Sequence, residues 1–423
     1  MALYAFDGTW NEDEEDPAED TNVVKFNGAY GGKTEILDGV GTRFGALGRF
    51  LGGVFGAGGQ TRIEEMYDKL VANWQDGDHD IDVIGFSRGG ALAVHFTNVI
   101  REVGIKAGDT VVAAPPVPVR FLGVWDVVGS FGIPIDFVLN FQDINVGYDL
   151  SVPDTVGQCF HAMALNERRQ TFEVTRLDKE NARNNVEELW FRGVHSDVGG
   201  GNKNTALSNI ALRWMMEKAM AHGLPITQAD IDRYAGTEPT APLSENLDPI
   251  ENAKRVVFAG DRFHPDARGK VLAVGESCPF MVRAKEQYSW SGVRLEAGGH
   301  YAFVVPDGAQ WTDKDTKCGP DGWKTEDLPW YKKELFEVFE GRRRCPKANW
   351  FELIGTIGDD EEHFFRIGAG GADATYQAPE DGELYAFAND LRSMYGNNHG
   401  EFEIQVQRLA APGSGTLKTC AEP

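Results

Sequence analysis

Among the 423 residues, one short run joins a nucleophile to the backbone that would expose it: Gly85-Phe86-Ser87-Arg88-Gly89. The residues before it, Ile81, Val83 and Ile84, form an apolar, β-branched strand pattern. Those after it, Ala91, Leu92, Val94, Phe96 and Ile100, recur at helical spacing. A serine at the apex of strand, tight turn and helix has its hydroxyl held out at the carboxyl edge of a sheet. Glycines two residues to either side let strand and helix approach without a Cβ in the way. The unbonded N–H groups of the first helical turn then face developing negative charge. In a chain with 50 glycines the pentapeptide alone is a weak signal, and the flanking strand and helix make Ser87 a candidate nucleophile.

A serine hydroxyl needs a base, and the base needs an acid to hold its tautomer. His195 follows the strand pattern of 188–194 and precedes the flexible run Gly199-Gly200-Gly201, which suits a side chain reaching over the elbow. Three other histidines are less well placed. His79 lies at the amino end of the elbow strand, His95 two turns into the elbow helix, and His161 at the start of a stretch that reads as helical. Asp126 closes the strand pattern of 121–125, so it too belongs at a carboxyl edge. The order Ser87, Asp126, His195 is the nucleophile–acid–base order of α/β-hydrolases. Asp197 is the alternative acid, but a carboxylate two residues beyond the histidine more naturally bonds its own turn. For the oxyanion, the Arg88 N–H would work with a donor from the loop after the first strand, where Gly8 and Thr9 are the candidates and Asp7 braces the turn.

The elements that must position these groups alternate along the first half. Strands are expected at 3–6, 82–86, 119–125 and 188–194, and helices at 61–74 and 206–221. This rhythm implies a mostly parallel sheet with helices on both faces. A Pro- and Asp-rich passage, 225–270, closes the first domain along its surface. From about residue 275 short alternating runs (301–305, 350–357, 383–387, 402–407) are separated by Gly, Pro, Asp and Asn turns, an all-β sandwich pattern. The expected division is 1–272 and 273–423. Two apolar insertions, 41–59 and 131–141, read either as packing loops or as a lid and acyl-chain surface.

With 42% hydrophobic residues the chain can bury two or three domain cores. A net charge of −24 argues against nucleic acid as a partner and repels anionic membranes from the average surface. No run reaches the length of a membrane-spanning helix. Met1-Ala2-Leu3 leads into a strand rather than a basic-then-apolar signal, so synthesis in the cytoplasm without general secretory export is expected. Five cysteines (159, 278, 318, 345 and 420) include no C-x-x-C pair, which disfavours structural zinc. Free thiols are expected, with Cys318 and Cys345 the one pairing considered.

Four separated motifs resemble the α/β-hydrolase domain of bacterial type VI secretion phospholipase effectors of the first class. They are Phe6-Asp7-Gly8-Thr9-Trp10-Asn11, the Ser87 pentapeptide, Gly123-Val124-Trp125-Asp126-Val127-Val128-Gly129-Ser130, and Gly193-Val194-His195-Ser196-Asp197-Val198-Gly199-Gly200. The run 162–169, read as helical, and His264-Pro265 are similar to that family too. The resemblance spans roughly 1–270. It implies hydrolysis of glycerophospholipid esters with Ser87, Asp126 and His195 as a triad that needs no cofactor, delivery by a type VI apparatus into a target periplasm, and a secretion-apparatus component and an immunity protein as partners.

In the second half, 388–400 (Ala-Asn-Asp-Leu-Arg-Ser-Met-Tyr-Gly-Asn-Asn-His-Gly) packs hard oxygen donors into a loop between strands, an arrangement that suits calcium. With the strand that follows, this run resembles the calcium-dependent, galactose-binding bacterial lectins, weakly over 276–410. The resemblance implies Ca2+ held by Asp390, Asn397 and Asn398 with the Met394 carbonyl, and a glycan or lipopolysaccharide as target. The family's His-Pro-Asp-Gln sugar-contact segment has no counterpart here. Two other functions fit the same residues: a soluble small-molecule esterase or thioesterase, and a carbohydrate-binding protein with an inactive hydrolase domain.

Overall fold

The structure is a computed structural model that describes residues 1–8, 20–37, 54–129, 150–169, 172–178, 183–244, 255–258, 260–327, 333, 339–358 and 361–420. Thr9, the insertion 131–141, and all of 41–59 except the backbone of 54–59 lie outside the described residues. The chain divides into two compact units, Met1–Ala267 and Arg268–Pro423.

The first unit runs β1 (Ala2–Phe6), α1 (Asn22–Ala29), β2 (Lys33–Leu37), α2 (Val54–Gln75), β3 (Ile81–Phe86) and α3 (Ser87–Val103). A hairpin of β4 (Ile105–Ala107) and β5 (Thr110–Ala113) leads to β6 (Val119–Trp125), β7 (Val156–Ala164) and β8 (Val186–Phe191). Then come α4 (His195–Gly199), α5 (Ser208–Ala221), α6 (Gln228–Asp232) and β9 (Arg262–Phe263). Seven strands form one sheet in the order β2-β1-β3-β6-β7-β8-β9, and every neighbouring pair is parallel. Parallel neighbours need crossovers, which place helices on the two faces.

Side-chain alternation in β1 shows both faces covered. Ala2, Tyr4 and Phe6 join Met66 and Leu70 of α2 and Phe96 of α3. Leu3 and Ala5 join Phe26 of α1 and Trp214 and Met215 of α5. Strands buried on both faces read as near-continuous apolar runs, which is why they were legible. β1 has β2 on one side and β3 on the other, so the strand order reverses there and a crevice opens beyond the carboxyl ends.

One element differs in kind from its expectation. The stretch from His161, read as helical, is the end of the central strand β7. Ala162, Met163 and Ala164 favour helix locally. Pairing of Ala162 with Trp125 and of Ala164 with Phe191, with burial on both sides, overrides that preference. The passage 225–270 also contributes an edge strand, β9, which pairs with β8.

The second unit holds two sheets around a common core. One is ordered Ser277–Arg283, Glu401–Leu409, His300–Val304, Gly370–Gln377, Gly415–Thr416, and the other Ser289–Leu295, Gly382–Ala388, Trp350–Ile357, Asp321–Trp323. Phe280, Phe303 and Ile404 from the first pack with Val293, Leu353 and Leu384 from the second. A small third sheet sets Trp311–Asp313 between Thr316–Cys318 and Asn398–His399, with Asp313 opposite Asn398. Cysteine usage departs from expectation as well. Cys345 is bonded to Cys420, 75 residues on, while Cys159, Cys278 and Cys318 are free. Sequence spacing says nothing about which thiols a sandwich brings to a Cα separation of 5.2 Å.

Gly89 tests the packing beneath the elbow. A Cβ there would lie 2.3 Å from the Phe6 carbonyl oxygen and 2.4 Å from that of Asp7, both rigid backbone. Gly89→Ala should destabilise the protein by about 1–3 kcal/mol. Gly28→Ala, in α1 with no atom within 4 Å, should stabilise by up to about 1 kcal/mol. Urea unfolding midpoints followed by tryptophan fluorescence measure both.

Candidate functional site

Ser87 is the first residue of α3 and sits at φ 58°, a left-handed conformation that is strained for any residue except glycine. Parallel register carries the carboxyl ends of the strands to one edge. Phe86 pairs with Trp125, so Ser87 and Asp126 each lie one residue past a paired position. Asp126 is also at positive φ, 36°. Both side chains are thus aimed by sharp turns at the same rim, and strain of this kind gathers at functional sites.

His195 begins α4 after β8, and its Nδ1 lies 2.6 Å from Asp126 Oδ2. Its ring packs 4.6 Å from the Phe86 ring, the residue before Ser87, and 4.8 Å edge-on from Phe172. Burial between these rings lowers the His195 pKa below its ordinary value; Asp126 opposes the shift and Arg255 adds to it. The Asp126 carboxylate is fully buried. It accepts the Ala164 N–H at 2.9 Å on Oδ1 and the Arg255 Nη2 at 2.8 Å on Oδ2. Burial alone would raise its pKa, but the Arg255 charge and the His195 and Ala164 bonds outweigh this and hold it low.

Asp197 braces its own turn. Its carboxylate accepts the Val194 and Ser244 N–H groups at 3.0 and 3.1 Å and the Ser244 hydroxyl at 2.5 Å. Gly199 packs so tightly that a Cβ would fall 1.9 Å from the Phe86 ring. Arg88 lies in the first turn of α3, where backbone N–H groups lack intrahelical acceptors, and burial lowers its guanidinium pKa to about 10. The Gly8 N–H is donated to Asp7 Oδ1 at 2.7 Å, and the Thr21 hydroxyl donates to the same oxygen.

Several residues around this site carry no motif. Arg255 comes from the passage after α6 and is 5% exposed at its side chain; its Nε and Nη1 are buried without an acceptor. Glu167 accepts the His195 N–H at 3.1 Å and the Arg169 guanidinium, and these bonds overcome burial to bring its pKa to about 2. Behind Asp126, His161 Nε2 accepts the Val127 N–H at 3.1 Å, so Nδ1 carries the proton and donates to Glu188 at 2.8 Å. Glu188 also takes the Leu177 and Asp178 N–H groups and Arg176, which forks onto Asp261. Only the resemblance of 162–169 pointed toward Glu167, and nothing in the chain singled out Arg255.

In the second unit, Asp390 Oδ2 accepts Asn398 Nδ2 at 3.0 Å and Oδ1 accepts the Leu391 N–H. Asn397 Oδ1 and Asn398 Oδ1 are buried without a donor. The Met394 carbonyl accepts the Asn397 N–H at 3.2 Å, which leaves one lone pair. Asp313, unmarked by any motif, adds a second carboxylate. Burial and then the charge of Asp390 push it up to about 7. Two carboxylates, two orphaned amide oxygens and a carbonyl are hard donors with a deficit of positive charge, so the residues fit calcium. Among the described residues no group of three or more His, Cys, Asp or Glu side chains gathers for a metal.

The fold and site define an α/β protein with a serine at the switch point of a parallel sheet and a buried carboxylate–imidazole pair beside it. The family model described as the catalytic domain of Tle1-like phospholipase effectors of the type VI secretion system (T6SS) matches residues 3–112 and 106–218, about half of the chain. The chain belongs to this family.

Among solved structures, one of an uncharacterised protein from Pseudomonas aeruginosa is 19% identical with a TM-score of 0.39, covering 56% of this chain and 49% of that one. The chain therefore spans about half the length of that protein. The Tle1 effector bound to the VgrG spike of the type VI secretion system is 16% identical over 97% of this chain and 69% of its own, at a TM-score of 0.34. The EclA N-terminal domain, a PllA-like lectin, is 19% identical over 31% of this chain and 95% of its own, at 0.23. No curated protein sequence gives a significant match. No helix among the described residues is long and apolar enough to cross a membrane.

Three outcomes follow from the charges. Removing the Arg255 cation favours imidazolium, so Arg255→Gln should move the acid limb of the kcat/KM profile to higher pH, while the basic side is little changed. An unshifted limb would show that Arg255 does not act through His195. Asp313 is higher in the folded than in the unfolded state, so metal-free protein takes up a proton on folding between about pH 4 and 7. It should lose stability as pH rises through that window. Calcium requires ionised carboxylates, so the rise in Tm on adding calcium should be larger at pH 8 than at pH 5. Equal Tm values in calcium and chelator at pH 8 would exclude a tight site.

Proposed function

We propose that the chain is a serine hydrolase that cleaves carboxylic esters of membrane glycerophospholipids. The observation that carries this reading is the bond from His195 Nδ1 to a buried, ionised Asp126, with Ser87 raised on a strained turn at the same sheet edge. Ser87 Oγ attacks the ester carbonyl as its proton passes to His195 Nε2, the nitrogen that the Asp126 bond leaves available. The oxyanion is stabilised by the Arg88 N–H and its first-turn neighbours in α3. Gly8 joins them only if its N–H leaves the Asp7 carboxylate, and Thr9 is the other candidate on that loop. Collapse of the tetrahedral intermediate expels the lysophospholipid alkoxide, which takes the proton from His195. Water, deprotonated by His195, then releases the fatty acid and regenerates Ser87.

Family membership supports delivery by a type VI apparatus into a target bacterium, with a spike component carrying the chain and an immunity protein guarding the producer. The second unit is proposed to bind calcium through Asp390, Asn397, Asn398 and the Met394 carbonyl, with Asp313 added. The orphaned amide oxygens support this, and bound calcium would supply open coordination for sugar hydroxyls. Holding the enzyme on a glycan surface raises the local concentration of lipid.

Mass spectrometry after incubation with bacterial phospholipid vesicles should show free fatty acid and lysophospholipid. Ser87→Ala should lower the rate by at least about 10³-fold. Hydrolysis confined to short aryl esters would replace the lipase reading with a small-molecule esterase. Failure of a fluorophosphonate to label Ser87 in folded protein would leave the sugar-binding unit as the functional part.

A further inference from the structure

In a chain of net charge −24, the second unit contains a local reversal of sign. Arg342-Arg343-Arg344 leads directly into Cys345, whose disulfide to Cys420 holds the segment to the C-terminal stretch. The Arg344 N–H donates to the Asp390 carbonyl at 3.3 Å and the Cys345 N–H to Asn389 Oδ1 at 2.9 Å, so the run is also fastened to the start of the 390–398 loop. Beside it is a cavity of about 760 Å³ lined by Phe339, Arg342, Arg343, Arg344, Arg392 and Glu361, among others. That volume falls within the roughly 300–1,000 Å³ of small-ligand sites.

Among the described lining residues the arginines outnumber the carboxylates: four guanidiniums face two carboxylates, Glu361 and Glu362, and Glu361 is already paired with Arg392. Arg344 is 6% exposed, with its guanidinium 3.6 Å from the Phe387 ring centre and 4.4 Å from that of Tyr288. Nη1 donates to the Gln287 carbonyl and the Tyr395 hydroxyl, while Nε and Nη2 are buried with no acceptor. A desolvated cation whose partners are a carbonyl, a phenol and aromatic faces keeps its field, and low-dielectric walls focus that field into the cavity. Arg342 stands at the surface, 5.6 Å from the Phe339 ring centre. Guanidinium forks match the oxygens of phosphate and carboxylate, and an aromatic ring offers a face to a sugar.

We propose that this cavity binds the oxyanion of an acidic saccharide, a sugar bearing a phosphate or a carboxylate, through arginines that include Arg392 of the 388–400 loop and without using the proposed calcium donors. The saccharide half rests on the reading of this unit as sugar-binding; the anion half rests on the cavity alone. The arginine side of the cavity takes the oxyanion, and Phe339 with the acidic rim takes ring and hydroxyls. Arg344, packed under the arginine run, maintains the positive potential while making no direct contact.

The test is calorimetric titration of the full chain in chelator with glucose 6-phosphate, glucuronic acid, glucose and inorganic phosphate. Binding of either acidic sugar, at least about tenfold tighter than glucose and weakening as salt rises, is the expected result. The phosphorylated and carboxylated arms show which oxyanion is preferred. The Arg342→Gln/Arg392→Gln variant, altered at two exposed side chains, should lose about tenfold or more in affinity while Tm and ester hydrolysis stay unchanged. Unchanged affinity in that variant overturns the proposal, as does binding that needs calcium and disappears in Asp390→Asn. Inorganic phosphate binding as tightly as the hexose phosphate overturns the saccharide assignment. Failure of the sugar-module reading is seen separately, as absence of calcium-dependent binding of neutral galactose.

Discussion

The first unit is organised around one ion that water cannot reach, the carboxylate of Asp126. An isolated buried carboxylate would take up a proton rather than stay charged. Here three donors from distant parts of the chain converge on it: the backbone of β7 at Ala164, the imidazole at the start of α4, and a guanidinium from the passage after α6. Each donor fixes a segment that would otherwise be a surface connection. The same bonds set the histidine, because a nitrogen bound to carboxylate is a donor and its opposite nitrogen is left as an acceptor. Compensation of one charge thus aligns strand ends, loop and imidazole together.

A second ring of buried polar groups keeps that arrangement from drifting. His161 and Glu188 form another imidazole–carboxylate pair, directed at the backbone after Asp126 rather than at solvent. Glu188 gathers Arg176 and two N–H groups, and Arg176 carries the connection to Asp261. Glu167 anchors the N–H of His195. Reactive side chains must be held to within fractions of an ångström, and fully bonded supports of this kind do so at little entropic cost at the moment of reaction.

The second unit solves a different problem with similar means. Its small third sheet and the 388–400 loop, rather than the two large sheets, hold this polar chemistry. Asp313 and Asp390 repel each other across a small sheet whose amide oxygens lack donors, while a few residues away an arginine run is stacked on aromatic rings. Opposite local excesses of charge among the described residues of one sandwich are what ligands of opposite sign would neutralise.

Much of this was legible in the chain, for definable reasons. Strands such as β3 and β6 are buried on both faces, so they show as apolar runs. Chemistry-bearing residues that follow such runs, Ser87 and Asp126, must then lie at a carboxyl edge whatever the rest does. The texture of the second half likewise marks a β-rich region, because period-two alternation and turn residues are local properties. What the sequence could not decide is everything set by approach between distant segments. β7 looks helical because Ala and Met favour helix, and only neighbours on both sides make it a strand. Cys345 finds Cys420 rather than Cys318 through the closing of a sandwich. Arg255 and Asp313 carry no local signal, since their roles exist only where tertiary packing removes water and lets one charge feel another.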